Sequence, residues 1–142
     1  MPDAKIGHVH LKVSNLRTSE KFYVGLLGFK VSERVASYLF LTFGAEHHDL
    51  ALQEIPDAIN QPENSVGLYH FAIEVDVVKD LVQIYSKLKK AGVPTDHGIS
   101  KALYFSDPDG NGIEVYVDTR NEKKNWEGFS RPLDMEKLSK NK

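Results

Sequence analysis

The chain contains no cysteine, which excludes disulfide bonds, thiolate metal sites and cysteine nucleophiles. Any metal ion would have to be held by His, Asp or Glu, and six histidines are present. No apolar run approaches the roughly 20 residues that a membrane-spanning helix needs, and no basic segment with a following apolar stretch opens the chain. A formal charge of −2 gives no basic surplus for nucleic acid. We therefore expect a cytoplasmic protein that binds neither membranes nor nucleic acid.

An internal repeat organises the 142 residues, which are enough for one compact domain. The segments Gly7–Val13 and Tyr69–Val75 share a pattern, with His in second place, an aliphatic residue in fifth and Val in seventh. Both segments are predicted to be strands, because apolar residues alternate with other residues along them. Alternation directs His8 and His70 away from the apolar face of each strand.

Each repeated strand is followed by the same kinds of elements. A helical segment comes next, Thr18–Leu27 or Val77–Ala91, with a glycine shortly after it. The strand-like runs that follow are Lys30–Val35, Tyr38–Phe43, Leu50–Glu54, Ala102–Ser106 and Ile113–Asp118, with a weaker one between Val93 and Gly98. The sequence thus predicts an α+β fold over residues 5–118, in which two tandem βαβββ modules, about 5–56 and 66–118, form one curved sheet around a metal cavity. Residues 119–142 form a polar C-terminal extension, with a short helix predicted at Leu133–Leu138.

The repeat also predicts a metal site. His8 and His70 occupy equivalent places, and Glu114 in the last strand of the second module has Ala51 as its counterpart in the first. Two imidazoles and one carboxylate with no fourth protein ligand form the arrangement that non-haem Fe(II) oxygenases use. We expect His8, His70 and Glu114 to bind one divalent metal ion.

These residues resemble the vicinal-oxygen-chelate superfamily, which contains glyoxalases, epimerases, fosfomycin-resistance transferases, bleomycin-binding proteins and extradiol dioxygenases. The resemblance covers about residues 5–118 and rests on Gly7–Val31, on His70 before a Glu-Val-Asp strand end, and on Asp107–Glu114. It implies the fold and the metal position. The reaction does not follow from the fold.

Three further residues resemble those of type I extradiol dioxygenases such as catechol 2,3-dioxygenase. His48 precedes Asp49 and an apolar strand, Tyr104 stands ten residues before Glu114, and His97 precedes a glycine upstream of Tyr104. The resemblance implies that His48 is the acid/base residue, that His97 helps to remove a proton from the catechol and that Tyr104 hydrogen-bonds the bound substrate.

The direction of His48 conflicts with strict strand alternation. If the strand already began at His47, then His47 would point the same way as Ala51, towards the cavity, and His48 would point away. A bend or bulge at residues 46–49 would restore the inward direction of His48. We assign the acid/base role to His48.

The resemblance implies an extradiol dioxygenase that opens a catechol-type ring with O2, acting as a homodimer with Fe(II), or with Mn(II) or another divalent metal. One alternative is a metal-dependent glyoxalase, epimerase or thiol transferase. Glyoxalases and epimerases generally have a fourth protein ligand, so Ala51 argues against them but not against thiol transferases. The other alternative is a metal-free binding protein of the bleomycin-resistance kind, which has no need of the three ligands together.

Overall fold

The computed structural model describes residues 3–140, which divide into one unit up to Val66 and another from Gly67. The first unit forms a four-stranded sheet in the order β1-β4-β3-β2, in which β1 is parallel to β4 and the other pairs are antiparallel. Its elements are β1 Val9–Val13, α1 Leu16–Gly25, β2 Lys30–Val35, β3 Tyr38–Thr42 and β4 Leu50–Glu54.

Polar side chains define where α1 begins. The Asn15 side chain accepts a hydrogen bond from the Thr18 backbone N–H at 2.9 Å, as a helix N-cap does. Glu54, at the end of β4, accepts another from the Leu16 N–H. Both bonds satisfy N–H groups that have no partner within the helix. The core beneath is apolar and almost fully buried, with Val13, Tyr23, Leu39, Leu41, Leu50 and Leu52 as members.

The second unit repeats this plan and extends it. Its sheet has the order β5-β8-β7-β6-β9, with β5 parallel to β8. Its elements are β5 Phe71–Glu74, α2 Val78–Lys87, β6 Val93–Asp96, β7 Ser100–Ser106, β8 Gly112–Asp118, β9 Arg131–Pro132 and α3 Met135–Lys140. Burial alternates strictly along β8: Ile113, Val115 and Val117 are buried, whereas Glu114 and Tyr116 lie on the other, partly exposed face.

The turn between β7 and β8 is built around one buried carboxylate. Asp107 accepts hydrogen bonds from the backbone N–H groups of Asp109 and Asn111 and from the Asn111 side-chain amide. Gly110 adopts φ +85°, which a residue with a side chain rarely does. The tight reversal predicted from this run of turn-forming residues is therefore present, and it sets the position at which β8 begins.

The α+β class and the two βαβββ modules are confirmed, and the weak strand after α2 exists as β6. The strands hydrogen-bond within each module and form two sheets, where the repeat predicted one curved sheet. The helix in the extension begins two residues later than predicted, at Met135, and a two-residue strand precedes it. Nowhere in residues 3–140 is there a helix both long and apolar enough to cross a bilayer.

Candidate functional site

His70 and Glu114 lie side by side in the second unit. His70 directly precedes β5, and the parallel pairing of Phe71 with Ile113 brings it next to the start of β8. The Nε2 atom of His70 is 3.2 Å from Oε2 of Glu114. The Glu114 side chain is only 12 % exposed and that of His70 28 %, so both side chains are largely shielded from water.

Gly112 makes this close approach possible. A Cβ atom at Gly112 would collide with the backbone oxygen of Tyr69 and would lie 3.1 Å from Cβ of His70. Any larger residue would therefore push the chain around His70 away from β8. The absence of a side chain at Gly112 therefore allows the short distance between His70 and Glu114.

Tyr104 and His97 extend the cluster from the neighbouring strands. Tyr104 pairs with Glu114 across the β7–β8 ladder, and its hydroxyl donates to Oε1 of Glu114 at 3.0 Å. Nε2 of His97 lies 2.7 Å from the same hydroxyl oxygen. Because a carboxylate only accepts, the Tyr104 proton belongs to the bond with Glu114, and His97 must donate from Nε2 to the Tyr104 oxygen. Burial, followed by the nearby Glu114 charge, raises the pKa of Tyr104, so the phenol keeps its proton.

His97 follows β6 and is held by a tight turn. Its backbone N–H donates to the Ser100 carbonyl, and the Gly98 N–H donates to the Asp96 side chain. Two residues of the C-terminal extension also contact its ring: the Ser130 hydroxyl lies 2.6 Å from Nδ1, and Trp126 packs edge-on with ring centroids 6.4 Å apart. Sequence reasoning missed both residues, since nothing in a polar segment without periodicity indicates which strand it pairs with.

The first unit places His8 next to His48. His8 directly precedes β1, and the two imidazole rings are 4.4 Å apart. His48 lies in the loop before β4, outside the strand, so the alternation of a strand does not determine its direction. The Asp49 side chain accepts from the Phe43 backbone N–H and so closes this loop. Burial, then the neighbouring His8 and His47, lowers the pKa of His48.

His47 also contacts His48 and connects it to a carboxylate. Nε2 of His47 lies 2.9 Å from Glu33 Oε1, and its Nδ1 lies 2.9 Å from Nδ1 of His48. Since Glu33 only accepts, a neutral His47 carries its proton on Nε2 and accepts at Nδ1. His48 must then donate from Nδ1, which leaves its Nε2 as the basic nitrogen.

The strand registers make the two modules equivalent position by position. Leu50 pairs with Val9 as Ile113 pairs with Phe71, so Ala51 occupies the place of Glu114. In the next strand, Phe40 pairs with Ala51 as Tyr104 pairs with Glu114. The first module therefore has apolar residues where the second has its carboxylate and phenol. Within the described part of either unit, no three His, Asp or Glu side chains come together closely enough to hold a metal ion.

Comparison with known proteins identifies relatives that match most of the chain. The model of the Glyoxalase/Bleomycin resistance protein/Dioxygenase superfamily matches residues 5–115. A crystal structure of a glyoxylase/bleomycin resistance protein/dioxygenase domain from Frankia has the same fold, with a TM-score of 0.69 at 22 % identity, covering 81 % of this chain and 92 % of that one.

Three curated relatives are named for two different classes of reaction. The chain is 42 % identical to a catechol-2,3-dioxygenase of Bacillus subtilis over 82 % of its own length and 42 % of that protein. It is 36 % identical to biphenyl-2,3-diol 1,2-dioxygenase 2 of Rhodococcus globerulus, covering 80 % of this chain and 63 % of the relative. It is also 34 % identical to metallothiol transferase FosB of Staphylococcus epidermidis, covering 84 % and 85 % respectively. The chain thus spans less than two thirds of both dioxygenases.

Proposed function

Since the chain belongs to the glyoxalase/bleomycin resistance protein/dioxygenase superfamily, we propose that it is a metal-dependent extradiol dioxygenase that opens a catechol-type ring with O2. The observation that carries the proposal is the hydrogen-bonded series from His97 through Tyr104 to Glu114, whose other carboxylate oxygen adjoins His70. The series connects an imidazole that can transfer protons, His97, to a carboxylate that can bind a metal ion, Glu114. The similarity to two ring-diol dioxygenases supports the same reaction class.

The donor atoms of the second unit fit a divalent metal ion. Two ligands that bind one metal at about 2.1 Å and at right angles lie about 3.0 Å apart, close to the 3.2 Å between His70 Nε2 and Glu114 Oε2. The bond from Tyr104 occupies the other Glu114 oxygen and so orients Oε2 towards His70. We assign His8 as the third ligand, because its place in the first module is equivalent to that of His70.

This set of two imidazoles and one carboxylate suits Fe(II) best, with Mn(II) or another divalent ion as the alternative. When bound, such an ion would act as a Lewis acid that lowers the energy of the deprotonated catechol. No cysteine is available to compete as a ligand.

The chain's own residues supply the proton transfers in this proposal. His48, whose basic Nε2 is not engaged by His47, accepts and returns a proton, and burial lowers its pKa in favour of the neutral form that can accept one. His97 donates from Nε2 to Tyr104, so its unprotonated nitrogen is Nδ1, and any substrate proton that His97 helps to remove must be taken up at Nδ1. The Tyr104 hydroxyl donates to Glu114 and accepts from His97 with one lone pair of its oxygen. The second lone pair of that oxygen can therefore accept a hydrogen bond from a substrate hydroxyl.

A thiol transferase is the second candidate. The match to metallothiol transferase FosB covers 85 % of that protein, whereas the matches to the two dioxygenases cover 42 % and 63 %. The same ligand types serve both reactions, and Ala51 at the position of a fourth ligand argues only against glyoxalases and epimerases. The reaction itself must therefore separate the two candidates.

Oxygen uptake distinguishes the two reactions. The purified protein is loaded anaerobically with Fe(II) and then exposed to O2 with catechol or 2,3-dihydroxybiphenyl in an oxygen electrode. A dioxygenase consumes O2 and substrate in equal amounts and forms a ring-opened product that absorbs visible light. Thiol addition to an epoxide without oxygen uptake would replace the dioxygenase proposal by the thiol transferase.

Metal binding gives a separate test of the ligands. Glu114→Ala should lower Fe(II) or Mn(II) affinity by more than about 100-fold, because even a residue that only supports a ligand is typically worth about 10- to 100-fold. The control is Glu74→Ala in the same sheet, since Glu74 also accepts a tyrosine hydroxyl at 3.0 Å but has no histidine assigned to it as a co-ligand. Equal metal affinity of the two variants in calorimetric titration would contradict the assignment of Glu114.

A further inference from the structure

Ser130 of the C-terminal extension lies opposite His97. The short strand β9 pairs antiparallel with β6, with Arg131 opposite Asp96, so the next position along each strand places Ser130 against His97. The hydroxyl oxygen of Ser130 is 2.6 Å from Nδ1 of the imidazole. The contact therefore follows from the backbone pairing and does not depend on a side-chain rotamer alone.

The direction of this bond follows from the other end of the series. Glu114 accepts from Tyr104, and Tyr104 accepts from Nε2–H of His97. A neutral His97 then has its lone pair on Nδ1, so the Ser130 hydroxyl is the donor. Ser130 thus donates to His97, His97 donates to Tyr104, and Tyr104 donates to Glu114. The extension therefore forms the end of the series that lies farthest from Glu114.

The extension is anchored on both sides of Ser130. After it, the Leu133 N–H donates to the Pro94 carbonyl, and Met135 of α3 is 4 % exposed. Before it, the Trp126 indole N–H donates to the Phe129 carbonyl at 2.9 Å, and the Trp126 and His97 rings lie nearly perpendicular to each other. These contacts hold the segment in place on the second unit, so its serine has a fixed position relative to the imidazole.

We propose that Ser130 is a positioning residue that holds the His97 ring with Nε2–H directed at Tyr104, an inference that rests on the proposed function for its catalytic meaning. A serine suits this place because its hydroxyl can rotate. It donates to Nδ1 while His97 is neutral and accepts from Nδ1–H when His97 is protonated, whereas an acceptor-only side chain would favour the protonated form. Through Ser130 the extension acts on the series that ends at Glu114.

The test uses 15N NMR of the histidine side chains in the metal-free protein, which needs neither Fe(II) nor a substrate. In the wild type, His97 should be a single neutral tautomer with a protonated Nε2 and an unprotonated Nδ1. Ser130→Ala and Ser130→Cys should broaden or average the two nitrogen signals, because Nδ1 loses its donor or retains only a weak one. Ser130→Thr keeps the hydroxyl and should restore the wild-type signals.

The matched control is Ser139→Ala, since Ser139 lies in the same extension but donates its hydroxyl to the Glu136 carbonyl. Its His97 signals should equal those of the wild type. With Fe(II) and catechol, Ser130→Ala should lower kcat by about 10-fold, a part of the roughly 10²- to 10⁴-fold that an acid/base group contributes.

Unchanged His97 signals in both Ser130→Ala and Ser130→Cys would overturn the inference, as would a wild-type His97 protonated on Nδ1. The failure of the proposed function would look different. The tautomer would respond to the variants as expected while the wild type consumed no O2 with any catechol.

Discussion

Replacing Tyr104 by Phe removes the central oxygen of the series and deprives two groups of a partner. The Glu114 carboxylate loses a donor while only 12 % exposed, and His97 loses the acceptor for its Nε2–H. A hydrogen bond to a charged group contributes about 1.5 to 3 kcal/mol, and a shielded polar group left without a partner costs about 1 to 3 kcal/mol. We expect Tyr104→Phe to lower the free energy of unfolding by about 2 to 3 kcal/mol.

Tyr116→Phe is the matched control. Tyr116 donates to Glu74 at 3.0 Å, the same bond at the same length in the same sheet, but Glu74 is exposed and can bind water instead. The loss there should be about 0.5 to 1 kcal/mol, within the range for an ordinary hydrogen bond. The difference between the two variants measures how strongly Glu114 depends on Tyr104.

Urea unfolding of the metal-free protein, followed by tryptophan fluorescence, is suited to this comparison. Trp126 is the only tryptophan, lies in the second unit and contacts His97, so its emission reports on the unit that contains both tyrosines. With a slope of about 2 kcal/mol per molar urea, Tyr104→Phe should lower the midpoint by about 1 M or more. Equal midpoints for the two variants would refute the argument that the Tyr104 bond is the more shielded one.

The remaining predictions concern the approach of the two strands and the acid/base assignment. Gly112→Ala should lower metal affinity by about 10- to 100-fold, because the new Cβ displaces His70. The control Gly25→Ala, whose Cβ would meet nothing within 4 Å, should leave the metal affinity unchanged. Equal metal titration curves for the two variants would contradict the steric argument. His48→Ala should reduce kcat by about 10²- to 10⁴-fold with metal binding retained. His47→Ala should lower kcat by only about 10-fold, because it removes a partner of His48. If steady-state kinetics showed the larger loss of kcat in His47→Ala, the acid/base role would belong to His47.

Much of the second module was predictable because its pattern is local. Strict alternation along β8 predicts that Glu114 lies on the face opposite Ile113 and Val115, and the burial of the strand agrees. The turn formers before β8 predict a reversal, and the interval of ten residues to Tyr104 becomes a direct cross-strand pair. Periodicity and turn chemistry suffice where neighbouring strands are joined by a short loop.

The contacts of His48, His97 and Ser130 were not predictable in the same way. His48 lies in a loop whose shape depends on the Asp49 carboxylate, so no periodicity applies to it. Ser130 directly precedes a two-residue strand, and its contact with His97 spans 33 positions of sequence. Pairing over such a distance in a polar segment depends on tertiary packing, and local sequence carries little information about it.

The equivalence of the two modules has exceptions that bear on the proposed metal site. Glu114 and Tyr104 in the second module correspond in register to Ala51 and Phe40 in the first. In the proposed site, a carboxylate at position 51 would add a fourth protein ligand and leave fewer coordination positions for a substrate and O2. It would also face a phenyl ring, which cannot donate the hydrogen bond that Tyr104 gives to Glu114. The asymmetry of residues 40 and 51 against 104 and 114 therefore agrees with the proposed ligand set of two imidazoles and one carboxylate, in which several metal positions stay open.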